Sequence, residues 1–135
     1  MYLLDTDVLS NIVKRRPSEL LIEKLKTIPR ELQFTSAINV GEIYYGASRS
    51  ARTEEILRAF EIHIFPNITV LPFDGASGKI FGKIKAELER IGLGCREPDL
   101  RIASIAIQHG FTLVTGNSRH FTPIPGLQVE NWIHA

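Results

Sequence analysis

Short strand-like runs alternate with helical stretches along this chain, and that alternation constrains the fold more than any other feature. Tyr2-Leu3-Leu4, Gln33-Phe34-Thr35, Ile68-Thr69-Val70-Leu71 and Phe111-Thr112-Leu113-Val114-Thr115 read as strands, with Leu127-Gln128-Val129-Glu130 as a last short one. Strands that alternate with helices pair in parallel, and the faces of a parallel sheet must be covered. The expected class is therefore α/β, a three-layer sandwich with a central, mostly parallel sheet flanked by helices. With 135 residues and no linker or repeat, residues 1–135 are expected to form a single domain.

The intervening stretches carry helix punctuation. Val8 to Val13 follows the first strand, and Lys14-Arg15-Arg16-Pro17 closes that helix, since proline cannot continue it. The three cations suit a helix C-terminus. A solvated face is the favoured reading for them, with contact to RNA phosphates as the functional alternative. Ser18 and Ser36 are placed to cap the next helices, the second carrying Val40, Ile43, Tyr44 and Ala47 on one face. Thr53-Glu54-Glu55 begins another, with Ile56, Leu57 and Phe60 facing inward. From Phe73 to Ile91 a long amphipathic helix is capped by Asp74 and directs Ile80, Ile84 and Leu88 to the core.

Glu97 to Gly110 is the most informative of these helices. Apolar residues cover most of its circumference and leave a narrow polar stripe of Arg101, Ser104 and Gln108, as in a helix that is largely buried. Asp99 lies on the inward side with Ile102, Ala103 and Ala106. A buried ionised carboxylate costs several kcal/mol unless a cation or metal pairs with it.

Composition removes several function classes. A net charge of +1 provides no strong basic field, so any nucleic acid must be held by local groups. The single cysteine, Cys95, excludes an internal disulfide and suits a reducing cytosol; it reads as an inert thiol, with Arg96 beside it as the one feature that could activate it. No apolar run approaches the roughly 18 residues of a membrane span, and with no basic region or cleavage site before the first strand no signal peptide is expected. Cytoplasmic localisation is expected. The chain has no glycine-rich phosphate loop, no nucleophile elbow and no pair of histidines at zinc-ligand spacing.

Ligands of open α/β sheets gather outside the carboxyl ends of the strands. Asp5 and Asn117 stand at such ends, and Glu42 and Asp99 lie on helices that begin near them. Capping and chemistry are equally good readings of Asp5 by itself. Together, three carboxylates and an amide form an all-oxygen set, which Mg²⁺ or Mn²⁺ prefers.

The residues in this order resemble a PIN-domain ribonuclease of the VapC toxin type over essentially the whole chain. The pattern is carried by Leu3-Leu4-Asp5-Thr6-Asp7, by Asn39-Val40-Gly41-Glu42-Ile43-Tyr44-Tyr45-Gly46-Ala47, by Asp99-Leu100-Arg101-Ile102-Ala103-Ser104, by Leu113-Val114-Thr115-Gly116-Asn117, and by Phe121 to Leu127 with Trp132. Asp7 and His120 depart from it, standing where Asn or Ser and an acid, respectively, are frequent. The resemblance implies a single PIN domain and a Mg²⁺-dependent endoribonuclease, with Mn²⁺ able to substitute. It further implies a structured RNA substrate, often tRNA, cut to leave 5′-phosphate and 3′-hydroxyl ends. Asp5, Glu42 and Asp99 match the metal-binding acids, and Asn117 matches the fourth site position. A small VapB-type antitoxin and a homodimer are the implied partners. Tyr45, on the helix flank of Glu42, is the expected anchor for the antitoxin.

Two alternatives belong to other classes. Asp5-Thr6-Asp7 also opens aspartate-nucleophile phosphatases, but Val8-Leu9 follows where Gly-Thr is needed. A catalytically silent PIN-like module that binds RNA or protein would have little reason to keep three buried acids.

Overall fold

The computed structural model describes residues 1–134. Its elements are β1 (Tyr2–Leu4), α1 (Thr6–Ile12), α2 (Glu19–Lys26), β2 (Gln33–Ser36), α3 (Ala37–Ser48), α4 (Thr53–His63), β3 (Thr69–Leu71), α5 (Gly75–Arg90), α6 (Glu97–His109), β4 (Thr112–Val114) and β5 (Val129–Glu130). The strands form one sheet in the order β3-β2-β1-β4-β5, and every pairing is parallel. The expected α/β sandwich is thus observed, with a wholly parallel sheet among the described residues.

Strand periodicity explains the two cores. Leu3 and Leu113 point to one face, where they pack with Leu100, Ile102 and Ile105 of α6 and Leu88 of α5. Leu4 and Val114 point to the other face, toward Val8 and Leu9 of α1, Leu21 of α2, Ile43 of α3, Phe60 of α4 and Trp132. Each central strand therefore feeds both layers with two adjacent leucine or valine side chains.

The caps set the helix starts where the sequence indicates. Ser18 accepts from the Leu21 amide, and Ser36 and Asp74 each form a reciprocal capping box, with Asn39 and Ser77. Gly110 ends α6 at φ +68°, a left-handed conformation that costs a non-glycine residue about 1–2 kcal/mol.

Three helix-face expectations change. Ser104 does not belong to a wet stripe; it is buried and its hydroxyl donates to the Leu100 carbonyl at 2.7 Å, which satisfies it inside the helix. Tyr44 is not core: it is 37% exposed, donates to Glu61 at 3.0 Å and stacks on Phe65. Of the three apolar residues expected to face the core from α5, Leu88 is fully buried while Ile80 and Ile84 are partly covered, because α5 packs on α6 and not directly against the sheet centre.

α6 anchors one layer, so its truncation is informative. Ile102 is completely buried, and Ile102→Ala is expected to lower unfolding free energy by about 2–5 kcal/mol in urea denaturation.

Candidate active site

The strand order reverses at β1: β2 and β3 lie on one side of it, β4 and β5 on the other. Crevices at such switch points collect ligands in open α/β sheets. Here the chain leaves β1 at Asp5 and leaves β4 at Thr115, and a cleft of about 400 Å³ opens beside them, lined by Asp5, Glu42, Asp99 and Asn117. All four residues expected from the sequence are thus brought together. Asp7, Arg96 and His120 also line it.

Asp5 is both a cap and a cleft residue. It is 7% exposed. Its Oδ1 accepts from the Thr6 amide at 2.8 Å and from Asn39 Nδ2 at 3.0 Å, while its Oδ2 accepts from Thr115 Oγ1 at 2.8 Å. Three donors from three parts of the chain hold one carboxylate.

Glu42 sits in the second turn of α3, half-buried. Thr6 Oγ1 donates to its Oε1 at 2.7 Å, and Asn39 Nδ2 donates to Thr6 Oγ1 at 3.0 Å. Burial pushes the Glu42 carboxyl up, opposed by the Thr6 hydrogen bond and reinforced by the charges of Asp5 and Asp99.

Asp99 lies in the first turn of α6, 6% exposed. Its buried Oδ2 has no hydrogen-bond partner. Arg96 Nη1 stands 3.8 Å away and His120 Nδ1 3.6 Å away, too far for hydrogen bonds. Burial raises the Asp99 carboxyl and Asp5 adds to it; Arg96 and His120 counter only part.

Asp7 has a larger part than its mismatch with the family pattern indicated. Its Oδ2 accepts from the Gly116 amide at 2.8 Å and from Asn117 Nδ2 at 3.1 Å, and Thr115 Oγ1 lies 3.4 Å from its Oδ1. Asp7 therefore clamps the loop that carries Asn117. Burial, then the Asp5 charge, raises its carboxyl against these hydrogen bonds. Thr6, Asn39 and Thr115 are the other supports that sequence reasoning did not assign. Of these, Asn39 carried a local signal, its place at the third helical position of a capping box.

Raised folded-state values on Asp7, Glu42 and Asp99 mean that ionisation opposes folding. The contribution of these groups to stability is fully present below an unfolded carboxyl pKa of about 4 and is lost as pH rises through each raised value. Cys95 is pushed up by burial and by Asp99, and Arg96 does not reverse this, so Arg96 does not activate the thiol.

The carboxylates share a cleft without converging: among the described residues, no group of three Asp, Glu, His or Cys side chains stands ready to cage a metal ion. The donor chemistry nevertheless fits a hard divalent cation. The set is all oxygen, and Asp99, whose buried Oδ2 has no hydrogen-bond partner, lines a cleft with an excess of negative charge. A larger groove of about 790 Å³ adjoins it, but Glu55 is its only acid, so it lacks this chemistry.

Known proteins place the arrangement. The PIN domain family matches residues 2–125. Ribonuclease VapC2 of Haemophilus influenzae is 35% identical over 132 residues, 98% of either chain. The tRNA(fMet)-specific endonuclease VapC of Shigella flexneri is 30% identical over 131 residues, 97% of either chain. The structure superposes with a TM-score of 0.87 on a chain of the Rickettsia felis VapBC2 complex bound to a DNA fragment from its promoter, at 30% identity over 97% of this chain and 98% of that one. The chain belongs to the PIN-domain family, among the VapC ribonucleases. Membership sets aside the phosphatase alternative.

Gly116 tests the Asp7 clamp. A Cβ there would stand 2.7 Å from Asp7 Oδ2 and 3.0 Å from Ile133 Cδ1. Gly116→Ala is expected to cost about 1–3 kcal/mol. In an Asp7→Ala background the cost should fall by at least ~0.5 kcal/mol, read from a double-mutant cycle in urea.

Proposed function

We propose that this chain is a divalent-metal-dependent endoribonuclease, the toxin of a toxin–antitoxin pair, working as one PIN domain over residues 1–135. Mg²⁺ is the expected ion, with Mn²⁺ able to substitute. The substrate is structured RNA, with tRNA favoured because the Shigella flexneri relative is named for tRNA(fMet) cleavage. The observation that carries the reading is the buried, partnerless Asp99 Oδ2 in a cleft shared with Asp5 and Glu42. Such a group is costly unless its normal state includes a cation.

Asp5 and Asp99 would hold the ion, Glu42 would ligate it or orient water, and Asn117 would add its side-chain oxygen. When bound, the ion draws charge from the scissile phosphate and lowers the pKa of a water. The chain supplies the rest. Thr6 fixes Glu42 through Oε1, so its other oxygen can accept a proton or hydrogen bond from the attacking water. Without the ion, burial holds the Glu42 carboxyl above its ordinary value. Asn39 and Thr115 hold Asp5 in one orientation before substrate arrives. Water adds to phosphorus, the bond to the 3′-oxygen breaks, and the 3′-hydroxyl leaves with a proton.

A VapB-type antitoxin is the proposed partner, in line with the Rickettsia felis VapBC2 relative, and a homodimer is the proposed assembly. Tyr45, 64% exposed one turn from Glu42, is the proposed aromatic anchor. No described helix is long and apolar enough to cross a membrane. The RNA substrate makes the cytoplasm the proposed compartment.

Sequencing RNA ends after brief expression of wild type, Glu42→Gln and Asp99→Asn tests the activity. New ends with wild type alone are expected; identical profiles from all three would leave an RNA- or protein-binding module. Asp99→Asn should raise the melting temperature of the metal-free protein at neutral pH and abolish any Mg²⁺-dependent gain. An equal Mg²⁺ gain in the variant would remove Asp99 from the ligand set.

Tyr45→Ala should weaken antitoxin binding roughly tenfold or more while RNA cleavage stays near wild type. Calorimetry on the purified pair, with cleavage measured in parallel, reads both; unchanged affinity would move the partner surface elsewhere.

A further inference from the structure

The acid cleft does not end at its own rim. Ser10 and Lys14 line it and also line the adjoining groove between the end of α1 and α4. That groove has a volume of about 790 Å³, with an apolar floor of Val13, Ile56 and Phe60 and a rim that carries Lys14, Arg15 and Arg52. Arg52 is paired with Glu55, which also lines the groove. Lys14 and Arg15 are exposed and form no ion pair among the described residues. They lie just past the C-cap of α1 at Val13, so they are not part of its last helical turn.

We propose that this groove is the track for the RNA strand next to the scissile phosphate, with Lys14 and Arg15 as positioning residues. The proposal rests on the nuclease reading and extends it from the reacting phosphate to its neighbours. Charge complementarity carries it. Four carboxylates line the acid cleft, and an RNA strand entering it brings further negative charge on every nucleotide. A chain with a net charge of +1 has no general field to draw the strand in, so cations beside the cleft must do so. Lys14 is the cation common to both cavities, and Arg15 continues the line outward. The apolar floor offers surface for an unstacked base while the rim neutralises phosphates, a combination that suits single-stranded RNA. Glu55 does not cancel it, because it is engaged by Arg52 and leaves the other two cations unneutralised.

Fluorescence anisotropy of labelled, unfractionated bacterial tRNA across a salt series tests the track, with Lys14→Gln, Arg15→Gln and the double variant. Lys83→Gln on α5 is the control for general charge loss. Each substitution on the track should weaken binding roughly threefold to tenfold and reduce the slope of log affinity against log salt by about 0.7. In cleavage assays KM should rise while kcat stays within about threefold, the pattern of lost uniform binding. Circular dichroism melts confirm that the variants fold. If Lys14→Gln and Arg15→Gln match the control in affinity and slope while wild type cleaves RNA, the track is wrong and the nuclease reading stands. If they leave tRNA binding unchanged but weaken the antitoxin in calorimetry, the groove belongs to a protein segment and the proposal is overturned. If wild type cleaves nothing, the nuclease reading fails, and anisotropy still decides the track.

Discussion

One carboxylate, Asp5, ties the molecule together. Its three hydrogen bonds come from the start of α1, from α3 and from the end of β4, so they join the first strand to both of its neighbours' continuations. Charge-assisted bonds of this kind are roughly twice as strong as neutral ones. They also hold a negative charge where three other carboxylates open onto the same cleft. The fold accepts this repulsion because the apolar layers on both sheet faces supply the net stability, and because the concentrated charge sits at a crevice edge and not in either core.

The support around the cleft is built in tiers. Ser36 and Asn39 close a capping box that sets the first turn of α3; the same Asn39 amide then reaches Asp5 and Thr6, and Thr6 reaches Glu42. On the other side Asp7 receives the amide of Gly116 and the side chain of Asn117. Small polar residues thus transmit the geometry of helix starts and strand ends to the acids. Asp99 is the exception: it is positioned by α6 alone, with the Arg96 guanidinium and the His120 ring near but not bonded to its Oδ2.

Much of this was legible in the sequence, for physical reasons that differ by element. The alternation of strands and helices gives the layers, because each pattern has its own period. The near-continuous apolar surface of Glu97 to Gly110 gives a buried helix, and with it the anomalous position of Asp99. What sequence periodicity does not carry is the strand order, and so it cannot say that Asp5 and Thr115 are neighbours. The Asp7 clamp depends on that adjacency. Ser104 and Tyr44 deviate for a local reason: a serine can satisfy itself on its own helix and be buried, and a tyrosine can leave the core when a glutamate and a phenylalanine receive it outside.

The order of the strands also sets when the cleft comes into being. β1 is made first, but it lies between β2 and β4, and Asp5 takes its bond from a residue 110 positions later. On a ribosome that emits the chain from its amino end, Asp5, Glu42 and Asp99 emerge in turn with nothing yet to complete the crevice. Until Thr115 and the loop after it clear the exit tunnel, Asp5 lacks the donor to its Oδ2 and Asp7 lacks the Gly116 amide. The full constellation forms only once residues 110 positions apart have met, so the geometry of the sheet ties the cleft to the arrival of β4 beside β1.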